Sequence, residues 1–92
     1  MKFIRERILN GERMFGIAAQ LGSSLTVEMI SNAGFDWTWI DCEHGSGDYS
    51  ELIHQVQVAR LGNAPAVVRI PGNNPTTFKR TLDLGAAGIM VP

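Results

Sequence analysis

One cysteine, Cys42, is present in 92 residues, so no disulfide can form within the chain. That fits a reducing compartment, and a cytoplasmic location is expected. A surplus of positive charge is missing too: 8 Lys and Arg stand against 9 Asp and Glu, for a formal net charge of -1. The basic residues are scattered rather than striped, which argues against a nucleic-acid partner. No apolar run approaches membrane-spanning length, and the charged start Met-Lys-Phe-Ile-Arg-Glu-Arg has no apolar core behind it. Neither a membrane partner nor a signal peptide is expected. Familiar motifs are absent as well. The stretch from Gly45 to Ser50 lacks the last glycine of a dinucleotide fingerprint. There is no phosphate-binding P-loop, and Glu43-His44 is not the paired-histidine zinc motif.

What is present is a regular alternation. Residues 3–9 predict a short amphipathic helix, with Phe3, Ile4, Ile8 and Leu9 apolar, stopped by Asn10-Gly11. Residues 14–21 read as a first strand. Ser24 is placed to cap a helix over 25–33, with Leu25, Met29 and Ile30 on its apolar face. Residues 37–42 form the second strand. Asp48, with Glu51 three residues on, opens a helix to about Leu61 that turns Leu52, Val56, Ala59 and Arg60 toward one face. Residues 66–70 are the third strand. Asn74-Pro75 starts a helix to about Leu84. Residues 88–91 begin a fourth strand. Gly34, Gly62 and Gly85 each close a helix, and each is followed by an apolar strand.

This βα alternation, with a period in the mid-twenties of residues, implies an α/β fold with a parallel sheet and helices outside it. A complete (β/α)8 barrel needs about 250 residues. Residues 1–92 are therefore read as one partial domain, the N-terminal half of a TIM barrel, with about four strands and three to four helices. A small open doubly wound sheet is the competing architecture.

The stretch Trp37-Thr38-Trp39-Ile40-Asp41-Cys42-Glu43-His44-Gly45 organises the rest. It begins as a buried strand and ends in three ionisable groups. Chemistry in parallel α/β folds gathers at the carboxyl ends of the strands. The first strand offers Gln20 there, the second Asp41, Glu43 and His44, and the third Arg69, Asn73 and Asn74. A histidine can act as a general base near neutral pH. An arginine can grip a carboxylate and neutralise a forming oxyanion. The plainer reading pairs Arg69 with Asp41 or Glu43, and keeps those carboxylates as backbone anchors, metal ligands or partners of a metal's ligands. Cys42 is read as a small core residue, with catalysis a minor role. Trp37 and Trp39 are expected to pack against the outer helices, and His54 to be exposed. Asp83 is poorly matched to the dipole at its helix end.

Residues 35–45, Val67-Val68-Arg69-Ile70-Pro71, Leu82-Asp83-Leu84-Gly85-Ala86 and Ile89-Met90-Val91-Pro92 together resemble the HpcH/HpaI aldolase family. The resemblance covers nearly the whole chain. It implies a (β/α)8 barrel and metal-dependent, class II cleavage of 2-keto-3-deoxy sugar acids or 4-hydroxy-2-oxo diacids. The products implied are pyruvate, or a close relative, and an aldehyde. It assigns His44 as catalytic base, Arg69 as the group that binds the pyruvyl moiety and stabilises its enolate, and Asp83 as the aspartate that raises the basicity of the histidine. It implies a divalent cation, Mg2+ or Mn2+ with Co2+ also possible, held by a Glu and an Asp of later strands beyond Pro92. It further implies a homo-oligomer, usually a hexamer. Two other outcomes stay open: a different lyase chemistry, such as thioester cleavage or decarboxylation, and a non-catalytic fragment.

Overall fold

Each strand pairs in parallel with its successor in sequence, which is how a barrel wall is laid down. The computed structural model describes residues 4–92. Its elements are α1 (Ile4–Leu9), β1 (Gly16–Ala19), α2 (Ser24–Asn32), β2 (Trp37–Asp41), α3 (Tyr49–Leu61), β3 (Ala66–Arg69), α4 (Pro75–Asp83) and β4 (Gly88–Met90). The sheet order is β1-β2-β3-β4. Phe3, predicted to begin the first helix, lies outside the described residues.

Alternation along the strands sorts the side chains. Ala19, Ile40, Ala66, Val68 and Ile70 pack with Val27 of α2 and Leu52, Val56 and Ala59 of α3 in one core. Burying each large aliphatic side chain there contributes about 1.5–3 kcal/mol. The core lies on one face of the sheet. Sequential strand order with helices on one face excludes the doubly wound alternative, whose helices cover both faces.

The two tryptophans correct an expectation. Thr38 and Ile40 are the β2 residues that turn to the helices, and both are fully buried. Trp37 and Trp39 alternate with them, so they face away from α2 and α3, and Trp37 lies toward Ile4 and Ile8 of α1. They line an open concavity of about 410 Å3 with Gly16, Ala18, Arg69 and Met90. Trp37 lies across Gly16, where a Cβ would fall 2.2 Å from its ring.

Helix ends differ in detail. Gly34 and Gly85 stop α2 and α4 in the left-handed region, at φ 99° and 100°. After α3 that conformation falls to Asn63, at φ 67°. Gly62 is needed for space instead, since a Cβ there would lie 2.0 Å from Ser31 Oγ. This close approach of α2 and α3 also explains the burial of α2. Its buried residues are Val27 and Ser31, while Leu25 and Met29 are each 66% exposed, contrary to the apolar face predicted. The cap of α2 is Ser23 rather than Ser24, and its hydroxyl accepts from the Thr26 N–H. Asp48 and Asn74 cap α3 and α4 as expected. Arg60 is exposed rather than on the buried face of α3, where Gln55 is buried instead.

Candidate functional site

The site grows from two strand tips that face each other in register, Asp41 on β2 and Arg69 on β3. Asp41 is 2% exposed. Arg69 holds it through two parallel bonds, Nε donating to Oδ1 at 3.0 Å and Nη2 to Oδ2 at 2.7 Å. The backbone N–H groups of Glu43 and His44 donate to Oδ1 at 3.0 and 3.1 Å. Gln20 Nε2, from the tip of β1, donates to Oδ2 at 3.1 Å. The Arg69 guanidinium holds the Asp41 carboxyl well below the usual carboxylate range. Burial opposes this, and the two backbone donors and Gln20 add to it.

Glu43 lies between the cation and the histidine. Its Oε1 is 3.5 Å from Arg69 Nη1 and 3.4 Å from His44 Nε2. The His44 side chain is 74% exposed, so it projects from the strand tip. The plainer reading of Arg69 therefore holds. The arginine pairs with both carboxylates, and Asp41 serves as a backbone anchor for the loop that carries His44.

The loop is folded tightly against the strand it leaves. A Cβ on Gly45 would fall 2.2 Å from the Asp41 carbonyl oxygen. The Ser46 N–H donates to the Gln20 carbonyl at 2.9 Å, tying this loop to the one after β1. Gly45→Ala is expected to push the His44 loop away and to destabilise the protein by about 1–3 kcal/mol. Urea unfolding measures this, and an unchanged midpoint would contradict the close packing.

Other candidates have simpler roles. Asn74 Oδ1 accepts from the N–H groups of Thr76 and Thr77 as a helix cap, and Asn73 is exposed. Cys42 packs against the core, and burial, with the Asp41 charge, pushes its thiol up. His54 is exposed on α3, as expected.

Asp83 is not brought to His44 within the chain. α4 starts beside the strand tips and runs back to the entrance of β4, so its last residue lies about 12 Å down the helix axis from its first. Asp83 is that last residue, and it is exposed. One participant escaped the reading of the residues. The Arg69 guanidinium lies over the Trp39 ring, 4.8 Å from its centroid. The available signal was parity, because Trp39 and Asp41 share a face of β2.

Among the described residues, no group of three or more His, Cys, Asp or Glu side chains is arranged to hold a metal ion. The oxygens of Asp41 already accept five hydrogen bonds. That leaves Glu43 as the only carboxylate of the cluster with free acceptor capacity, and one carboxylate does not make a cation site. Residues 4–92 alone therefore do not fit the implied divalent metal.

A one-sided parallel βα array with its strands in sequential order is the wall of a TIM barrel. Residues 15–92 match the family described as HpcH/HpaI aldolase/citrate lyase, and the chain belongs to that family. It is 34% identical over 88 residues to the hydroxypyruvate/pyruvate aldolase of Roseobacter denitrificans, covering 96% of this chain and 34% of that protein. The crystal structure of an HpcH/HpaI aldolase from Desulfitobacterium hafniense DCB-2 superposes with a TM-score of 0.88 at 31% identity, over 100% of this chain and 36% of that one. The citrate synthase SbnG superposes with a TM-score of 0.92 at 30% identity, over 98% of this chain and 37% of that one. The chain thus spans about a third of the length of these relatives.

Proposed function

We propose that the protein carrying this chain cleaves a 4-hydroxy-2-keto acid between C3 and C4, releasing a 2-keto acid such as pyruvate and an aldehyde. The carrying observation is the arrangement of Arg69, Glu43 and His44 around buried Asp41. Membership of a family of aldolases and lyases supports the same class of reaction.

The chemistry follows from the groups present. His44 takes the proton of the C4 hydroxyl. The C4 oxygen forms the aldehyde carbonyl as the C3–C4 bond breaks. The bonding pair passes into C3 and onto the C2 oxygen, giving an enolate. Arg69, fixed by Asp41, neutralises that oxyanion as it forms. A proton delivered to C3 then completes the 2-keto acid. The family resemblance adds a divalent cation, Mg2+, Mn2+ or Co2+, which as a Lewis acid would polarise the keto group.

The test is release of a 2-keto acid from a panel of 4-hydroxy-2-oxo acids, followed with a coupled dehydrogenase, with each metal in turn. Release from at least one substrate is expected. No release from any would overturn the aldolase reading. The likeness to a citrate synthase favours a second reading, carbon–carbon bond formation from a 2-keto acid. A protein that only adds a carbon nucleophile to the keto carbon of such an acid would establish that instead.

The place of Asp83 has its own consequence. If Asp83 acts on His44, it acts on the His44 of another copy in a homo-oligomer, since α4 carries it away from the strand tips of its own chain. His44→Ala and Asp83→Ala variants should each lose activity by about 10²–10⁴-fold. Co-assembled mixtures of the two should recover part of it. Mixtures no more active than their parents would confine Asp83 to a structural role.

A further inference from the structure

We propose that Trp39 is a positioning residue for Arg69, holding its guanidinium in the plane in which it meets an oxyanion; this rests on the aldolase reading above. Three contacts bear on that guanidinium. Asp41 takes Nε and Nη2 in two parallel bonds, which fixes direction. Glu43 lies 3.5 Å from Nη1. The Trp39 ring supports the face of the group, with Cζ 4.8 Å from the ring centroid. A fork held only at its edge can tilt about the axis through its two bonds. A ring against its face removes that freedom.

The sheet is built to admit this ring. Trp39 pairs in register with Ala18 on β1 and Val67 on β3. Arg69 is two residues beyond Val67, the diagonal neighbour that a large aromatic side chain can reach. Ala18 offers almost no side chain to compete for the space. Trp39 Nε1 is buried without a hydrogen-bond partner, so the indole is not held by a polar bond of its own. Its place is set by packing and by the cation above it. Both residues line the concave face that opens away from the helices.

The experiment compares Trp39→Leu, which removes the ring, with Trp39→Phe, which keeps one. The first readout is the NMR shift of the Arg69 Nε–H proton, which a ring beneath the guanidinium moves upfield. Wild type and Trp39→Phe should show the upfield shift, and Trp39→Leu should lose it. The second readout is pyruvate affinity, with kcat and KM for the cleaved substrate. Trp39→Leu is expected to weaken pyruvate binding about tenfold and to lower kcat, whereas Trp39→Phe stays within about threefold of wild type. An unshifted Arg69 proton in the wild type would overturn the proposal, as would equal losses in the Leu and Phe variants, which mark a packing role alone. A wild type that shows the shift and binds pyruvate but cleaves no substrate would refute the aldolase reading and leave the role of Trp39 standing. A shift without pyruvate binding would overturn both.

Discussion

Arg69→Ala is expected to lower kcat by about 10²–10³-fold, the loss seen when an oxyanion donor is removed from a preorganised site. Arg69 pairs with the carboxylates of Asp41 and Glu43, and among the described residues no other Lys or Arg stands at the tips of β1 to β4 to meet the forming enolate. Arg69→Lys should recover little. The two-pronged grip on Asp41 needs the planar fork, and a lysine ammonium is a point charge on a flexible stem. The loss should fall mainly on kcat, because the charge that Arg69 neutralises is greatest in the transition state. A second effect separates site from scaffold. Removing Arg69 leaves Asp41 buried without its counter-ion, so the alanine variant should also lose about 3–5 kcal/mol of stability. Steady-state kinetics and urea unfolding measure the two effects. A variant with wild-type kcat would end the catalytic role of Arg69, whatever its stability.

Much of the fold was legible because helix punctuation is local. Asp48 and Asn74 bond their own helix starts, and Gly34 and Gly85 take backbone conformations that residues with a Cβ rarely adopt. The errors share a different cause. Leu25 and Met29 look like a buried face, yet Ser31 is buried because α2 meets α3 at Gly62 with no room for more. That contact joins residues 31 apart in sequence and has no signature in the apolar pattern. Trp37 and Trp39 were misplaced because the polar residue between them, Thr38, is the one that turns to the helices, where its hydroxyl donates to the Ala64 carbonyl. The polar tip carries the correction: Asp41 and Arg69 share the face of the tryptophans. Of the candidate site, Arg69, Glu43, His44 and Gln20 could be gathered from strand-tip position alone. The five bonds converging on Asp41 could not, since two come from backbone N–H groups that any residue carries.

Those five bonds set the remaining expectation, that Asp41→Asn destabilises the protein by about 3–5 kcal/mol at neutral pH. Asparagine keeps the shape of the side chain but loses the charge that Arg69 faces. It also puts an NH2 group where Gln20 or Arg69 donates, so two donors meet in a buried place. The loop bearing His44 should loosen with it, because both of its first N–H groups are anchored on the same oxygen. Acid distinguishes the charge from the shape. The Asp41 carboxyl is depressed in the folded protein, with the Arg69 bond as the largest cause. The unfolded chain therefore takes up the proton first as pH falls. The stability due to the charge is fully present above the ordinary carboxylate range, about pH 4, and is lost as pH drops below it toward the folded value. The gap between wild type and Asp41→Asn should accordingly be widest near pH 7 and should narrow steadily below about pH 4. A gap of the same size at pH 3 and pH 7 would assign the effect to packing, and Asp41 would then hold Arg69 and His44 by geometry rather than by charge.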